Sequence, residues 1–424
     1  MNNGLFGFPN KKREANFFDC WILNTKDAVR VDEFTVAGTY NKVQVPANAK
    51  YLTILLYAAG GGGQGGAAVL TNSVSVASGG AGGGGGGTAL VRYNLQDFPG
   101  PNQAAQELFT KPLYLVVTIG AGGAGGAAIR APGASNSASS GGASSVSLTN
   151  STGTVLMRLA FAQPGTGAFG SPGQRNGAGG QGMNFGMGVA QTFGSTVRGQ
   201  AGSGVPGWNS GGFRFPMTFN TSAPADIPLH PYVCGGGGAG GVINTDGTSQ
   251  QTGGAGGAGY FYYEGFKNAD GGTTDGGQNA TIEDVVFGGV GGNGGYSAIV
   301  SQARNAFVGG NGIYGGGGGG GGGIYLDTPR LTATLATGTA FVALTFGDTT
   351  GLTLGQTLLK ESGVGAFAAG ATISAISGAT SFTMSINHLT AGSINFYSRL
   401  GTYASGTGGV GGAGYCLLIW NEES

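Results

Sequence analysis

Apolar residues fall along this chain in short runs, each stopped by glycine, proline, asparagine or serine. Residues 51–57 (YLTILLY) form a nearly unbroken apolar run, the pattern of a strand covered on both faces. Residues 40–45 alternate, with Tyr40, Lys42 and Gln44 on one side and Val43 and Val45 on the other. Further strands are predicted at 33–38, 69–76, 88–95, 113–119 and 415–420, with a hairpin of 144–149 and 155–161 around the turn 150–153. Apolar spacing at i, i+3, i+4, i+7 is nowhere sustained over a dozen residues, and only 103–109 has the makings of one helical turn. The pattern predicts an all-β chain.

A second pattern overlies the first: strands run straight into glycine. Residues 51–59 lead into 60–66, 113–119 into 120–126, 232–234 into 235–241 and 285–287 into 288, while 408–414 leads the other way, into 415–420. Glycine makes up 95 of 424 residues, against an average near 7%. Ordering glycine is entropically costly, so a chain that keeps this much is either disordered or uses the missing Cβ. Disorder goes with low hydrophobicity and high charge. Here hydrophobic residues are 40%, aromatics 10% and charged residues 9%, which predicts an ordered, dry, close-packed body. Collagen needs glycine at every third position with abundant proline, whereas this chain has 14 prolines and an unbroken glycine run at 315–323.

Extended glycine tracts have a physical use. A polyproline-II-type helix has three residues per turn, rises about 3.1 Å per residue and makes no internal hydrogen bonds. Without side chains, several such tracts can lie together and exchange N–H···O=C bonds laterally, which satisfies the pairing demanded of buried backbone groups. Tract 315–323 would then span about 28 Å.

Composition divides the chain into three parts. Residues 1–32 are poor in glycine and rich in large apolar residues, among them Leu5, Phe6, Phe8, Phe17, Phe18 and Trp21. Such a segment is too short to fold alone, so it packs on its own domain or docks on a partner protein; docking is the favoured expectation. Residues 33–326, completed by 398–424, are the glycine-rich body. Residues 327–397 return to ordinary glycine content, with alternating strands at 331–335, 341–346, 372–376, 381–386 and 393–396, and are predicted to be a small inserted β domain.

Formal net charge is zero, with no basic stripe to neutralise phosphates, so nucleic-acid binding is not expected. Cys20, Cys234 and Cys416 have no metal or disulfide spacing, and with only His230 and His388 no histidine-rich metal site is expected. No segment reaches the length of a membrane span, and no signal peptide is read at the N-terminus.

The residues 34–40 (FTVAGTY), Val45-Pro46, the strand 51–57 entering Gly60-Gly61-Gly62-Gly63, 115–123 (LVVTIGAGG), 141–145 (GGASS) and the closing 412–420 (GAGYCLLIW) together resemble the glycine-rich domain of bacteriophage tail-fibre and other virion proteins. The resemblance covers 33–325 and 398–421. It implies a jelly-roll-like β-sandwich base with a projecting bundle of polyglycine-II helices. It also implies a virion structural protein, a fibre or fibre-like component of tail or head assembled in the host cytoplasm. Residues 1–32, which the resemblance does not cover, are expected to dock to other virion proteins; loops of the body are expected to meet a host-surface glycan or outer-membrane protein, and a homo-oligomer, a trimer, is expected by resemblance. Residues 350–355 and 368–376 are similar to small β modules of phage structural proteins.

Candidate chemistry is sparse. Gly310, Gly312 and Gly315 fit G-x-G-x-x-G but precede more glycine instead of a helix, so the phosphate-cradling reading fails. Asp226, Asp246, Glu264, Asp270, Asp275, Glu283 and Asp284 are among the sparse carboxylates that a glycosidase would draw on, yet each also reads as a turn residue. No cofactor and no enzymatic activity are expected; a polysaccharide depolymerase is the lesser alternative, and a decoration protein without a receptor the greater. The aromatic loops carry the receptor-binding candidates Trp208, Phe213, Phe215, Tyr260, Tyr262 and Tyr263, which serve equally well as cover for the sides of the glycine bundle.

Overall fold

The structure, a computed structural model, describes residues 28–71, 79–95, 113–132, 137–169, 182–184, 191–197, 234, 236–238, 240, 241, 243, 291, 292, 295–299 and 302–422. These residues are nearly all β. Among them no helix is long and apolar enough to cross a membrane. Strands are numbered β1 to β18 in chain order.

One antiparallel sheet has the order β1 (Ala28–Phe34), β18 (Tyr415–Asn421), β3 (Tyr51–Tyr57), β5 (Thr88–Asn94), β10 (Gln191–Val197). A second has β2 (Gly38–Gln44), β6 (Tyr114–Ile119), β7 (Ser144–Thr149), β8 (Val155–Ala162), β9 (Gly182–Asn184). The alternating apolar positions of the two face one another and form one core, with Leu52, Ile54, Val91, Leu418 and Trp420 from the first and Leu115, Val117, Val146, Leu148 and Leu159 from the second. This is a sandwich-like arrangement. The Tyr93 hydroxyl donates to the Leu159 carbonyl, tying the sheets together in their interior. Trp420 is fully buried; its Nε1–H donates to Asp32 at 2.9 Å, and Arg30 lies over its ring at 5.2 Å while pairing with Asp32 at 2.8 Å.

The closing strand β18 is inserted between β1 and β3, so the first and last described strands lie side by side in one sheet, and every residue of β18 is buried. The structure extends the reading of the N-terminal region. Residues 28–32 belong to β1, paired with β18, so the segment ahead of the sandwich ends at 27, and the docking candidates Leu5, Phe6, Phe8, Phe17, Phe18 and Trp21 lie outside the described residues.

At the far end of the glycine tracts, β4 (Ala68–Thr71) pairs in parallel with β11 (Ile324–Pro329), and Ala298 forms a further parallel bridge to Ile324. Residues of the strand pair join Ala298, Ala306 and Tyr397 in a small core. Strand β12 (Leu331–Leu335) follows β11 after Arg330 and enters a third antiparallel sheet, ordered β14 (Leu359–Gly363), β17 (Gly392–Tyr397), β12, β13 (Phe341–Phe346), β16 (Ser381–Met384), β15 (Ile373–Gly378). This sheet has its own core of Leu331, Val342, Ile373, Phe382, Ile394 and Phe396. Strand β14, LKESG, has no alternation that marks it from sequence; it is held as an edge by backbone pairing to β17 and by the Arg330–Glu361 ion pair at 3.2 Å.

Replacing Trp420 by alanine removes the largest fully buried side chain and the partner of Asp32. It is expected to cost about 3–5 kcal/mol, read as a lowered guanidinium unfolding midpoint; a variant with an unchanged midpoint would show that the shared core does not hold the sheets.

Candidate functional site: the glycine-tract lattice

Glycine tracts occupy the space between the sandwich and the β4–β11 pair. A buried backbone N–H or C=O must find a partner, and tracts that are neither helix nor strand must find it outside themselves. Tract 58–66 does so in three directions in turn. The N–H groups of Gly60, Gly63 and Gly66 donate to the carbonyls of Gly412, Gly409 and Gly406; those of Gly61 and Gln64 to Gly84 and Ala81; those of Ala59 and Gly62 to Gly142 and Ser139, all at 2.8–3.1 Å. Its carbonyls repeat the period: those of 60 and 63 accept from Gly123 and Gly126, those of 61 and 64 from Gly318 and Gly321, those of 59 and 62 from Gly165 and Ala168. Every third residue addresses the same neighbour, and the tract has six of them.

Tract 315–323 is surrounded in the same way. Its N–H groups bond to tract 58–66, to Gly310 and Phe307, and to Gly238 and Gly241; its carbonyls accept from Gly406, Gly409 and Gly412, from Gly80, Gly83 and Gly86, and from Gly292, Gly295 and Ala298. These two adjacent tracts are thus each bonded through backbone to six neighbours, a cross-bonded lattice.

At most positions of its centre a side chain has no room. A Cβ built on Gly63 would fall on the carbonyl oxygen of Gly319, one on Gly318 on that of Gly409, and one on Gly321 on that of Gly406. Because the obstacle is backbone, no rotamer change relieves it. The perimeter differs. In tract 120–127, Ala121, Ala124 and Ala127 are exposed while Gly123 and Gly126 are buried; in 305–312, Asn305, Val308 and Asn311 are exposed while Ala306, Gly309 and Gly312 are buried. Thr407, Val410 and Ala413 repeat the spacing. These non-glycine residues recur at every third position, a sequence signal that an account based on unbroken glycine runs passes over.

The chain reverses between tracts 305–312 and 315–323 by a two-residue turn in which Gly316 N–H donates to the Ile313 carbonyl at 2.8 Å. Tyr314 (φ 44°) and Gly315 (φ 86°) both have positive φ, as a type I′ turn requires. Three of the glycines spaced as G-x-G-x-x-G, at 310, 312 and 315, therefore belong to a tract and its turn. Tyr314 packs on Tyr415 at 5.1 Å between ring centroids, and Tyr415 stacks on Tyr57 at 5.4 Å, forming an aromatic joint between lattice and sandwich. Cys234 enters the same joint, with Sγ 3.7 Å from Thr88 Oγ1.

The electrostatics of this region favour neutral groups. Burial, then the Glu33 carboxylate, pushes the Tyr415 hydroxyl far above the usual phenol range, and burial, then Glu33, raises Tyr314. Burial, then Asp32, pushes the Cys416 thiol well above the usual thiol range, so it stays protonated. Among the described residues no group of three His, Cys, Asp or Glu stands ready to hold a metal. What the arrangement offers chemically is a set of rigid, cross-bonded tracts anchored at strand ends: 58–66 follows β3, 120–127 follows β6, 163–168 follows β8, while 79–87, 315–323 and 404–414 lead into β5, β11 and β18. The receptor-binding candidates Trp208, Phe213, Phe215, Tyr260, Tyr262 and Tyr263, and the carboxylates from Asp226 to Asp284, lie outside the described residues. No protein-family model matches the chain, and no curated protein matches it.

Gly318→Ala is expected to destabilise by about 3 kcal/mol or more, as overpacking against immovable backbone does, whereas Val410→Ala on the perimeter stays within about 0.5 kcal/mol. Equal midpoints for the two variants in chemical denaturation would contradict the six-neighbour packing. The Tyr415 phenol has its folded value raised above the ordinary value of 10.0, so its contribution is fully present below that pH and is lost as pH rises above it. Stability is expected to fall from about pH 10 upward, and Tyr415→Phe to flatten that fall; an identical pH profile in the variant would contradict it.

Proposed function

We propose that the tracts are polyglycine-II helices carried as a bundle on a jelly-roll-like base, and that the protein is a bacteriophage virion structural component, a fibre or fibre-like part of tail or head. The observation that carries this reading is the three-residue period of the lateral hydrogen bonds around tracts 58–66 and 315–323, the period of a three-residue-per-turn helix. A bundle cross-linked through its backbone and clamped to a sandwich is a stiff projecting rod. That suits a particle appendage, and it agrees with the resemblance of residues 33–325 and 398–421 to the glycine-rich domain of virion proteins.

In this reading residues 1–27 dock to another virion protein, the copies associate as a homotrimer, and loops held by the rod meet a host-surface glycan or outer-membrane protein. Tyr260, Tyr262 and Tyr263, together with Trp208, Phe213 and Phe215, are the residues proposed for that contact. A second reading, decoration without a receptor, is supported by the described perimeter: Ala121, Ala124, Ala127 and Val410 offer small, uncharged surfaces and no recognition chemistry. A polysaccharide depolymerase is the third and weakest reading.

Removing residues 1–26 leaves β1 intact and is expected to abolish incorporation into particles without shifting the thermal midpoint of the purified protein; normal incorporation would sink the docking role. Purified full-length protein is expected to bind intact cells of the bacterium that the particle infects, and Tyr260→Ala/Tyr262→Ala/Tyr263→Ala to lose about tenfold in affinity, as truncation of central aromatic contacts does. Absence of binding by the unaltered protein selects the decoration reading.

A further inference from the structure

Among the described residues the lattice has a boundary, and there the outward-facing N–H groups meet no further described tract. On the flank made by tracts 305–312 and 404–413, two side chains take that role. Asn305 Oδ1 accepts the N–H of Ala404 at 2.9 Å, and Asn311 Oδ1 accepts the N–H of Val410 at 2.8 Å. Both asparagines are exposed, while the backbone of their own tract is engaged inward: Ala306, Gly309 and Gly312 donate to the carbonyls of Ala404, Thr407 and Val410. Val308 stands between the asparagines with its side chain outward, and Val410 stands opposite with its own. The same substitution of side-chain for backbone oxygen recurs elsewhere: exposed Ser139 Oγ accepts from Ala124 at 2.7 Å on the perimeter, and buried Ser405 Oγ accepts from Ile129 at 3.0 Å.

A flank of pure glycine would present a row of unpaired N–H groups at three-residue spacing, backed by no side chain. A glycine tract of a second copy could add to it as a strand adds to an open sheet edge. We propose that Asn305 and Asn311 terminate the lattice on this flank. Their side-chain carbonyls stand where the backbone carbonyls of another tract would, and their Cβ atoms, with the side chain of Val308, occupy the volume that tract would need. The surface is closed against one partner, the glycine tract of a second copy of this chain. This inference rests on the hydrogen bonds described and is independent of any role in a virion.

The test uses the full-length protein in two forms. Asn305→Gly/Val308→Gly/Asn311→Gly removes acceptors and bulk together; Asn305→Leu/Asn311→Leu removes the acceptors and keeps the bulk. Backbone amide hydrogen exchange reads the caps, and sedimentation velocity across a range of concentrations reads association. Both variants are expected to exchange the Ala404 and Val410 amides faster by on the order of tenfold, the fold-change that loss of one modest hydrogen bond produces. The glycine variant alone is expected to form larger species as concentration rises. Unchanged exchange at Ala404 and Val410 in the leucine variant overturns the capping role. A glycine variant that sediments as the unaltered protein does at every concentration overturns the termination role. Protection at Gly61 and Gly318 reports whether the lattice is intact; if the triple variant loses it, the single Asn311→Gly variant and its Val410 amide carry the same two readouts.

Discussion

Backbone hydrogen-bond pairing without secondary structure is the constraint on which this molecule depends. Helices satisfy their own peptide groups and strands satisfy those of one or two neighbours in a plane. The glycine tracts satisfy theirs in several directions around an axis, and the geometry works only where no Cβ intervenes. Glycine's entropic cost is thus matched by a dense set of bonds, each near 2.7–3.1 Å, in a packing where a Cβ at positions such as Gly63, Gly318 or Gly321 would strike backbone. The low charge of the chain follows: the interior has no place for a charged group, and Gln64, buried within a central tract, is accommodated with its Oε1 3.3 Å from the Ala81 amide.

The sandwich supplies order to the tracts. A glycine run by itself has no apolar face with which to recognise a neighbour, so its position must come from what it is attached to. Strands β3, β6 and β8 deliver tracts 58–66, 120–127 and 163–168 from one end of the two sheets, and tracts 79–87 and 404–414 return to β5 and β18 there. Tracts 58–66 and 315–323 run in the same direction, as the bonds from Gly318 to Gly61 and from Gly321 to Gln64 require, and the strands they lead into, β4 and β11, are accordingly parallel. Parallel pairing between strands so distant in sequence is set by the lattice, whereas a hairpin would have made it antiparallel.

Most of the strands were legible from residues alone, because burial on one or both faces leaves a period of two or an unbroken apolar run. Tyr51–Tyr57, Tyr114–Ile119 and Tyr415–Asn421 are of this kind. Strands β1, β9, β10, β11 and β14 were not: the reading of 33–38 meets β1 only at Glu33 and Phe34, GMN and IYLDTP carry no mark, QTFGSTV and LKESG alternate weakly, and pairing at a sheet edge selects all five. The existence of a packed glycine body was legible from composition, but its plan was not. The plan is written in the spacing of the few residues that are not glycine, such as Ala121, Ala124 and Ala127, which mark the face each tract turns to solvent.

Uniformity in tract 315–323 has one more effect. In the three-residue-per-turn helix proposed for it, where every third residue meets the same neighbour, moving such a tract by one residue while turning it through a third of a revolution restores its bonding pattern. A featureless glycine tract is therefore blind to its own phase, in contrast to a strand, where a one-residue slip exchanges core for solvent. Something at its ends must hold it still. At one end this is the tight reversal at Tyr314 and Gly315, pinned by the Tyr314 ring against Tyr415; at the other it is Ile324, locked into the small core beside Leu70. Those end fittings act as detents, and they decide which of several energetically equivalent settings the tract occupies.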